Sequence, residues 1–341
     1  MKNTKPSYLL VHVAVLLAFC VVVLGAFTRL QDAGLGCPDW PTCYGHAVWP
    51  QTSEQIAAAE KAFPDAPFEQ AKAWPEVVHR YFAGTLGFLI VLVGALAIKN
   101  RRLKDQPFKL PLLLVGLVIA QGLFGMWTVT LKLWPQVVTG HLLGGFATLG
   151  LLWLLRLRLI NGPWPGPNIP MRHWHDLKPL ALIGLLLVIC QITLGGWTST
   201  NYAALACPDL PTCQGHWWPP LMDFSTAFNF AQEIGPNYLG GQLDGGARLA
   251  IHMTHRIGAV VVALYLLFLA SRLRRHAGGR DLRRQANVIV GLLGLQVCLG
   301  LSNVLWSLPL PVAVAHNACG ALLLLSLISL NYRLHKCTAP W

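Results

Sequence analysis

The chain has 341 residues, of which 54% are hydrophobic and 12% charged. Soluble domains carry about 25% charged residues, so this composition excludes an ordinary water-soluble protein. The same apolar content excludes a disordered one.

Apolar runs bounded by charge or by Pro/Gly clusters predict eight membrane helices, each about 20 residues long, enough to cross roughly 30 Å of hydrocarbon. The first, over 8–27, is followed by no signal-peptidase site and reads as an anchor, not a cleaved leader. The second and third, 79–98 and 110–130, flank the basic segment Lys99 to Lys109. The fourth, 137–157, runs into NGPWPGPNIP, whose Pro and Gly content predicts a polar linker over 161–177. The fifth, 178–197, opens a second set completed by 251–270, 286–305 and 312–331.

Charge sets the orientation. One side of this topology holds 19 Lys/Arg against three acids, and the other seven basic residues against eleven acids. The positive-inside rule places both termini in the cytoplasm and the long loops 28–78 and 198–250 outside. The net charge of +12 is therefore a topology signal, and no nucleic acid is expected as a partner. The expected location is the bacterial inner membrane, multi-pass, with the lipid bilayer as the first partner.

The two halves repeat. CPDWPTC at 37–43 returns as CPDLPTC at 207–213, an offset of 170, and Gly25 to Thr28 aligns with Gly195 to Thr198 at the same offset. His79-Arg80 returns as His255-Arg256 at 176, while His141 and Gln121 return as His316 and Gln296 at 175. An even number of spans per half inserts both the same way up, a parallel repeat. The expected fold is all-α: two pseudo-twofold related four-helix bundles, residues 1–160 and 178–341, joined by the 161–177 linker.

Twelve histidines are present. His12, His173, His175, His276 and His335 have no repeat partner and read as solvated or interfacial. His46 and His216, each in a Gly-His pair after a loop cysteine, read as loop packing. His79, His141, His255 and His316 differ: each opens an even-numbered helix near its outer end, where ionisable groups are costly and point to function. Equivalent depths on paired helices are what a bis-histidine haem iron needs. The competing readings are core histidines hydrogen-bonded to neighbours, or zinc, which usually wants four ligands.

Nine cysteines are present. Cys37, Cys43, Cys207 and Cys213 sit in the two outer loops, in an oxidising compartment, where a tight Pro-containing loop brings its ends to disulfide distance. A structural staple and a labile redox bridge are both open. Cys20, Cys190, Cys298, Cys319 and Cys337 read as helix-packing residues.

The halves also differ. One helical turn before His79 and His255, the first half has Glu76 and the second has His252. A carboxylate beside a haem edge can accept protons or stabilise positive charge; an N-terminal helix charge is the bland alternative. Arg80 and Arg256 suit haem propionates or the interface.

Eight spans in two halves, AGLGCPDWPTC at 33–43, EVVHR at 76–80 and the further paired histidines resemble the haem A synthase family nearly end to end. The resemblance implies oxidation of the C8 methyl of haem O to a formyl through a hydroxymethyl intermediate. It implies haem b on His255 and His316 in the C-terminal half, and substrate haem O on His79 and His141 in the N-terminal half. Glu76 matches the family's essential carboxylate, and Cys37/Cys43 and Cys207/Cys213 match members with a bridge in each half. Haem O synthase, a prenyltransferase, is the implied substrate donor, cytochrome oxidase assembly the implied context, and a homo-oligomer is left open. A cytochrome b-type electron carrier and a haem transporter or chaperone are the competing functions.

Overall fold

Without water in the hydrocarbon region, every backbone N–H and C=O must be satisfied within its own segment, which leaves helices as the form for these runs. In the computed structural model, residues 7–103, 106–160, 171–275 and 280–336 are described. Residues 161–170 of the expected linker lie outside the described residues, as do His276, Cys337 and the side chains of His173 and His175.

The elements are α1 (Tyr8–Leu30), α2 (Ser53–Ala62), α3 (Gln70–Lys99), α4 (Lys109–Thr130), α5 (Pro135–Leu159), α6 (Met171–Thr200), α7 (Phe224–Ala227), α8 (Gly245–Arg275), α9 (Arg280–Leu305) and α10 (Leu310–Lys336). Eight of them are long and apolar enough to cross a membrane; α2 and α7 are short loop helices. Thr52 and Gln55 close α2 with a reciprocal capping box.

Three boundaries depart from expectation. α6 begins at Met171, inside the expected linker. α3 and α8 start at Gln70 and Gly245, several residues before the apolar runs at 79 and 251. Their first turns are too polar to register as membrane span, yet they continue the same helices out of the bilayer. At 30 residues, α3 is about 45 Å long, well beyond the hydrocarbon thickness.

In the first half α1 packs on α3, α3 on α4, α4 on α5 and α5 on α1; in the second, α6, α8, α9 and α10 close the same ring. The halves meet through α1 with α10, α5 with α6, and α5 with α10. Exchanging the halves leaves this set of packed pairs unchanged, consistent with a pseudo-twofold arrangement. Polar contacts join the halves at the loop end. Arg29 donates to Ser199 O at 2.6 Å and lies 4.1 Å over the Tyr202 ring, whose hydroxyl donates to Asp32 Oδ1 at 2.8 Å. The second long loop crosses onto the first half, where Tyr238 N donates to Lys132 O and Trp134 Nε1 to Gln232 O.

The largest buried apolar cluster lies toward the end of the bundle away from these loops, and smaller ones sit under the loops around Cys37 to Val77 and around Trp197 to Ile251. The largest runs through Val11 to Ala18 of α1, Leu86 to Val93 of α3, Phe146 to Leu159 of α5, Val262 to Leu273 of α8 and Ala321 to Leu334 of α10. Between these clusters, around His79, His141, His255 and His316, most helix positions are only half-buried.

Candidate active site

The four repeated histidines stand at this loosely filled level. His79 and His141 bring their ring centroids to 6.4 Å, nearly perpendicular at 87°. Each ring borders a glycine of a neighbouring helix. A Cβ built on Gly25, Gly195 or Gly300 would lie 3.0, 3.2 or 3.2 Å from Cε1 of His79, His255 or His316, and one on Gly125 would lie 3.5 Å from Cε1 of His141. The glycines thus set the space around each ring.

The donor set suits a porphyrin in each half. Nδ1 of His79, His141 and His316 is buried without a hydrogen-bond partner, so these rings are not tied down at that nitrogen as ordinary core histidines are. All four rings keep some accessible surface deep within the helices, so space remains beside them. Among the described residues, no group of three or more His, Cys, Asp or Glu side chains converges as a bare metal site. Paired imidazoles are instead the ligand set of a bis-histidine haem.

Above each pair sits a disulfide loop. Cys37 is bonded to Cys43, and Cys207 to Cys213. Both loops are wound around an aspartate. Asp39 accepts from Tyr44 N (2.6 Å), Thr42 Oγ1 (2.5 Å) and Gly45 N (2.9 Å). Asp209 accepts from Gln214 N (2.5 Å), Gly215 N (3.0 Å) and the Thr212 hydroxyl. Burial raises the Asp39 carboxyl, but the bonds from Thr42, Gly45 and Tyr44 together hold it below its ordinary value. Asp209 is held at about 2, first by Thr212 and then by Gly215. A two-residue hairpin closes each loop, with Tyr44-Gly45 and Gln214-Gly215 left-handed and paired backbone bonds between Cys43 and His46 and between Cys213 and His216. Two consecutive positive φ values make a type I′ turn, in which glycine is favoured. His46 and His216 therefore contribute backbone to the loop.

The loops are fastened to α3 and α8 by the arginines. Arg80 donates to Thr42 O (2.7 Å), Asp39 O (3.1 Å) and Pro41 O (3.3 Å). Arg256 donates to Cys207 O (2.7 Å), Asp209 O (2.9 Å) and Thr212 O (2.9 Å). Both guanidinium groups are thus directed to loop carbonyls.

Between loop and arginine lies the asymmetric position. Glu76, 5% exposed, accepts from Cys37 N–H at 3.0 Å and from Arg80 Nη2 at 2.5 Å. His252, 4% exposed, lies 3.3 Å from Cys207 N and 3.2 Å from Arg256 Nε through its two ring nitrogens. The same two donors converge in both halves. A carboxylate accepts both and keeps lone pairs to spare, whereas a neutral imidazole has one acceptor nitrogen. The first half thus places a carboxyl group one helical turn from His79 where the second places an imidazole.

Two features escaped the sequence reading. Gln191 lies 3.0 Å from His255 Nδ1, and a lone amide in an apolar run, with Val21 at the equivalent position, was its only signal. Cys20, Cys190 and Cys298 are exposed on helix surfaces, where a lipid-facing thiol suits the apolar solvent as well as a buried one; among the described free cysteines only Cys319 is buried as expected.

The chain matches the COX15-CtaA family, described as cytochrome oxidase assembly protein, over residues 8–328. It is 48% identical over 328 residues to a protein named Heme A synthase from Shewanella oneidensis, covering 96% of each chain. Proteins of the same name from Flavobacterium psychrophilum and Caulobacter vibrioides are 24% and 26% identical, covering 98% of this chain and 99% and 97% of theirs.

Proposed function

The chain belongs to the COX15-CtaA family of cytochrome oxidase assembly proteins, and we propose that it grips one porphyrin in each half and oxidises the one in the first. It is a membrane oxidoreductase of haem A synthesis, converting the C8 methyl of haem O to a formyl through a hydroxymethyl intermediate. In this reading His79 and His141 hold haem O as substrate. His255 and His316 hold haem b, which when bound supplies one-electron transfer.

Methyl to formyl removes four electrons in two oxidations, one water oxygen is retained, four protons are released, and the electrons leave for an acceptor outside the site. Positive charge that develops at that carbon spreads into the macrocycle. Glu76 sets a carboxylate one turn from His79, where fixed negative charge lowers the cost of that charge and can take a proton. The Cys37 amide and Arg80 hold the carboxylate still, so little reorganisation is needed when charge develops. The staples at Cys37–Cys43 and Cys207–Cys213 and the arginine clamps keep each loop over its own pair of histidines.

The observation that carries the assignment is the difference between Glu76 and His252 within the same frame of donors. A symmetric electron carrier, or a haem transporter, has no use for a carboxylate in one half only. The distribution of basic segments supports both termini in the cytoplasm and the site near the periplasmic face, with haem O synthase as the substrate donor. The test is co-expression of Glu76→Ala with haem O synthase and chromatography of the extracted haems. The variant is expected to retain haem b and accumulate haem O; a wild-type yield of haem A overturns the role of Glu76.

A further inference from the structure

Two amides inside membrane helices touch ligand histidines in the second half: Gln296 lies 3.1 Å from His316 Nε2 and recurs as Gln121 in the first half, whereas Gln191 has no counterpart there. Gln191 of α6 places Nε2 at 3.0 Å from His255 Nδ1 and donates to His255 O at 2.9 Å. Its Oε1 is buried without a partner. Gly258, one turn along α8 from His255, makes the room, since a Cβ there would collide with Gln191 Oε1.

The repeat offsets allow a direct comparison. Gly25 and Gly195 border His79 and His255 in the same way, which fixes the alignment of α1 with α6 and of α3 with α8. In that alignment Val21 stands for Gln191 and Phe82 for Gly258. The first half has a branched aliphatic and an aromatic where the second has an amide and the space for it. His79 Nδ1 is accordingly buried with no partner.

We propose that Gln191, housed by Gly258, is a positioning residue that fixes His255 and makes the second half the retained haem site, while the unanchored His79 lets the first site load and release. The proposal rests on the assignment of haem b to the second half. A histidine that gives Nε2 to iron keeps a proton on Nδ1, and a partner for that proton fixes the ring and raises its basicity. Turning the Gln191 amide brings its unpartnered Oε1 to that proton and exchanges the bond from Nε2 to His255 O for one from His255 Nδ1–H, with the amide shifted off the carbonyl. A site that must release product each turnover gains nothing from such an anchor; a resident cofactor does.

The test uses full-length protein in a His79→Ala background, so that only the second site is read. Gln191→Leu, which keeps the helix apolar, and Gly258→Ala, which displaces the amide without removing it, are loaded with haem b. Its transfer to a scavenging apoprotein and the low-spin iron signal are then followed. Loss of one such partner costs about 10- to 100-fold in affinity, so haem is expected to leave about 10- to 100-fold faster, with a changed spread of low-spin g values that a global packing defect would not produce. His255→Ala is the control. If it retains haem b, the assignment to the second half fails and the anchor with it. If it loses haem b while both variants match the parent in release rate and g values, the anchor alone is overturned.

Discussion

The Glu76 carboxylate has a structural task that can be measured apart from its chemistry. Cys37 and Cys43 are 0% and 1% exposed, so an impermeant reductant reaches their bond only when the loop opens. Glu76→Ala removes the acceptor of Cys37 N–H and one of the four acceptors of Arg80. A stranded buried donor costs about 1–3 kcal/mol. Arg80 keeps its loop carbonyls, so the closed loop should lose about 2–3 kcal/mol, a roughly 30- to 160-fold rise in the open fraction. Glu76→Gln retains one acceptor oxygen and should cost about 1 kcal/mol, roughly fivefold. The assay is timed reduction with a phosphine, alkylation and mass spectrometry of both pairs. Cys207–Cys213 in the same molecule, held at His252, serves as the internal standard. If Glu76→Ala speeds reduction of Cys37–Cys43 less than twofold relative to that standard, the clamp described here is wrong. Glu76→Gln is the more informative variant for function: it should keep the loop closed and still accumulate haem O.

Three further outcomes follow from the geometry. Gly25→Ala puts a Cβ 3.0 Å from the His79 ring, whereas Gly125→Ala meets His141 at an ordinary 3.5 Å; overpacking costs about 1–3 kcal/mol, so pigment binding in the first half should weaken about tenfold for Gly25→Ala and hardly change for Gly125→Ala. Tyr44, whose hydroxyl donates to Ala66 O (3.1 Å) and Pro67 O (3.2 Å), has its pKa pushed up to about 12, by burial first and then by Glu69. A raised folded value means its stabilisation of the loop is full below about pH 10 and is lost as pH rises through 12. The absorbance difference at 295 nm between wild type and Tyr44→Phe should therefore appear near pH 12; titration near 10 contradicts the packing. Arg29→Ala removes both the hydrogen bond to Ser199 and the ring contact with Tyr202, worth about 1–3 kcal/mol together, and should lower the thermal midpoint in detergent by a few degrees without changing pigment content.

Much of this architecture was legible because membrane helices announce themselves by length and composition. Duplication then exposed the residues that matter: a histidine that recurs at one depth four times is informative where a lone one is not. Glu76 stood out for the same reason, as a break in an otherwise repeated pattern. The helix starts at Gln70 and Gly245 were hidden because their first turns are polar and, in α3, carry Pro75, so periodicity and propensity both argue for a loop. The partners of Arg80 and Arg256 were equally hidden. Those arginines suit a propionate or the interface, and the loop carbonyls they meet come from the loop's return across the helix, which no local pattern reports. Gln191 escaped because its meaning depends on Gly258, 67 positions later.

The central claim is that each bundle holds its own porphyrin between two histidines, and pigment analysis of paired variants tests it most directly. Full-length wild type, His79→Ala and His255→Ala are co-expressed with haem O synthase, purified, and their haems extracted and identified by mass. The account predicts that His255→Ala loses haem b and keeps a prenylated haem, while His79→Ala loses the prenylated haem and keeps haem b. The same two pigments in the same ratio from all three proteins would contradict it.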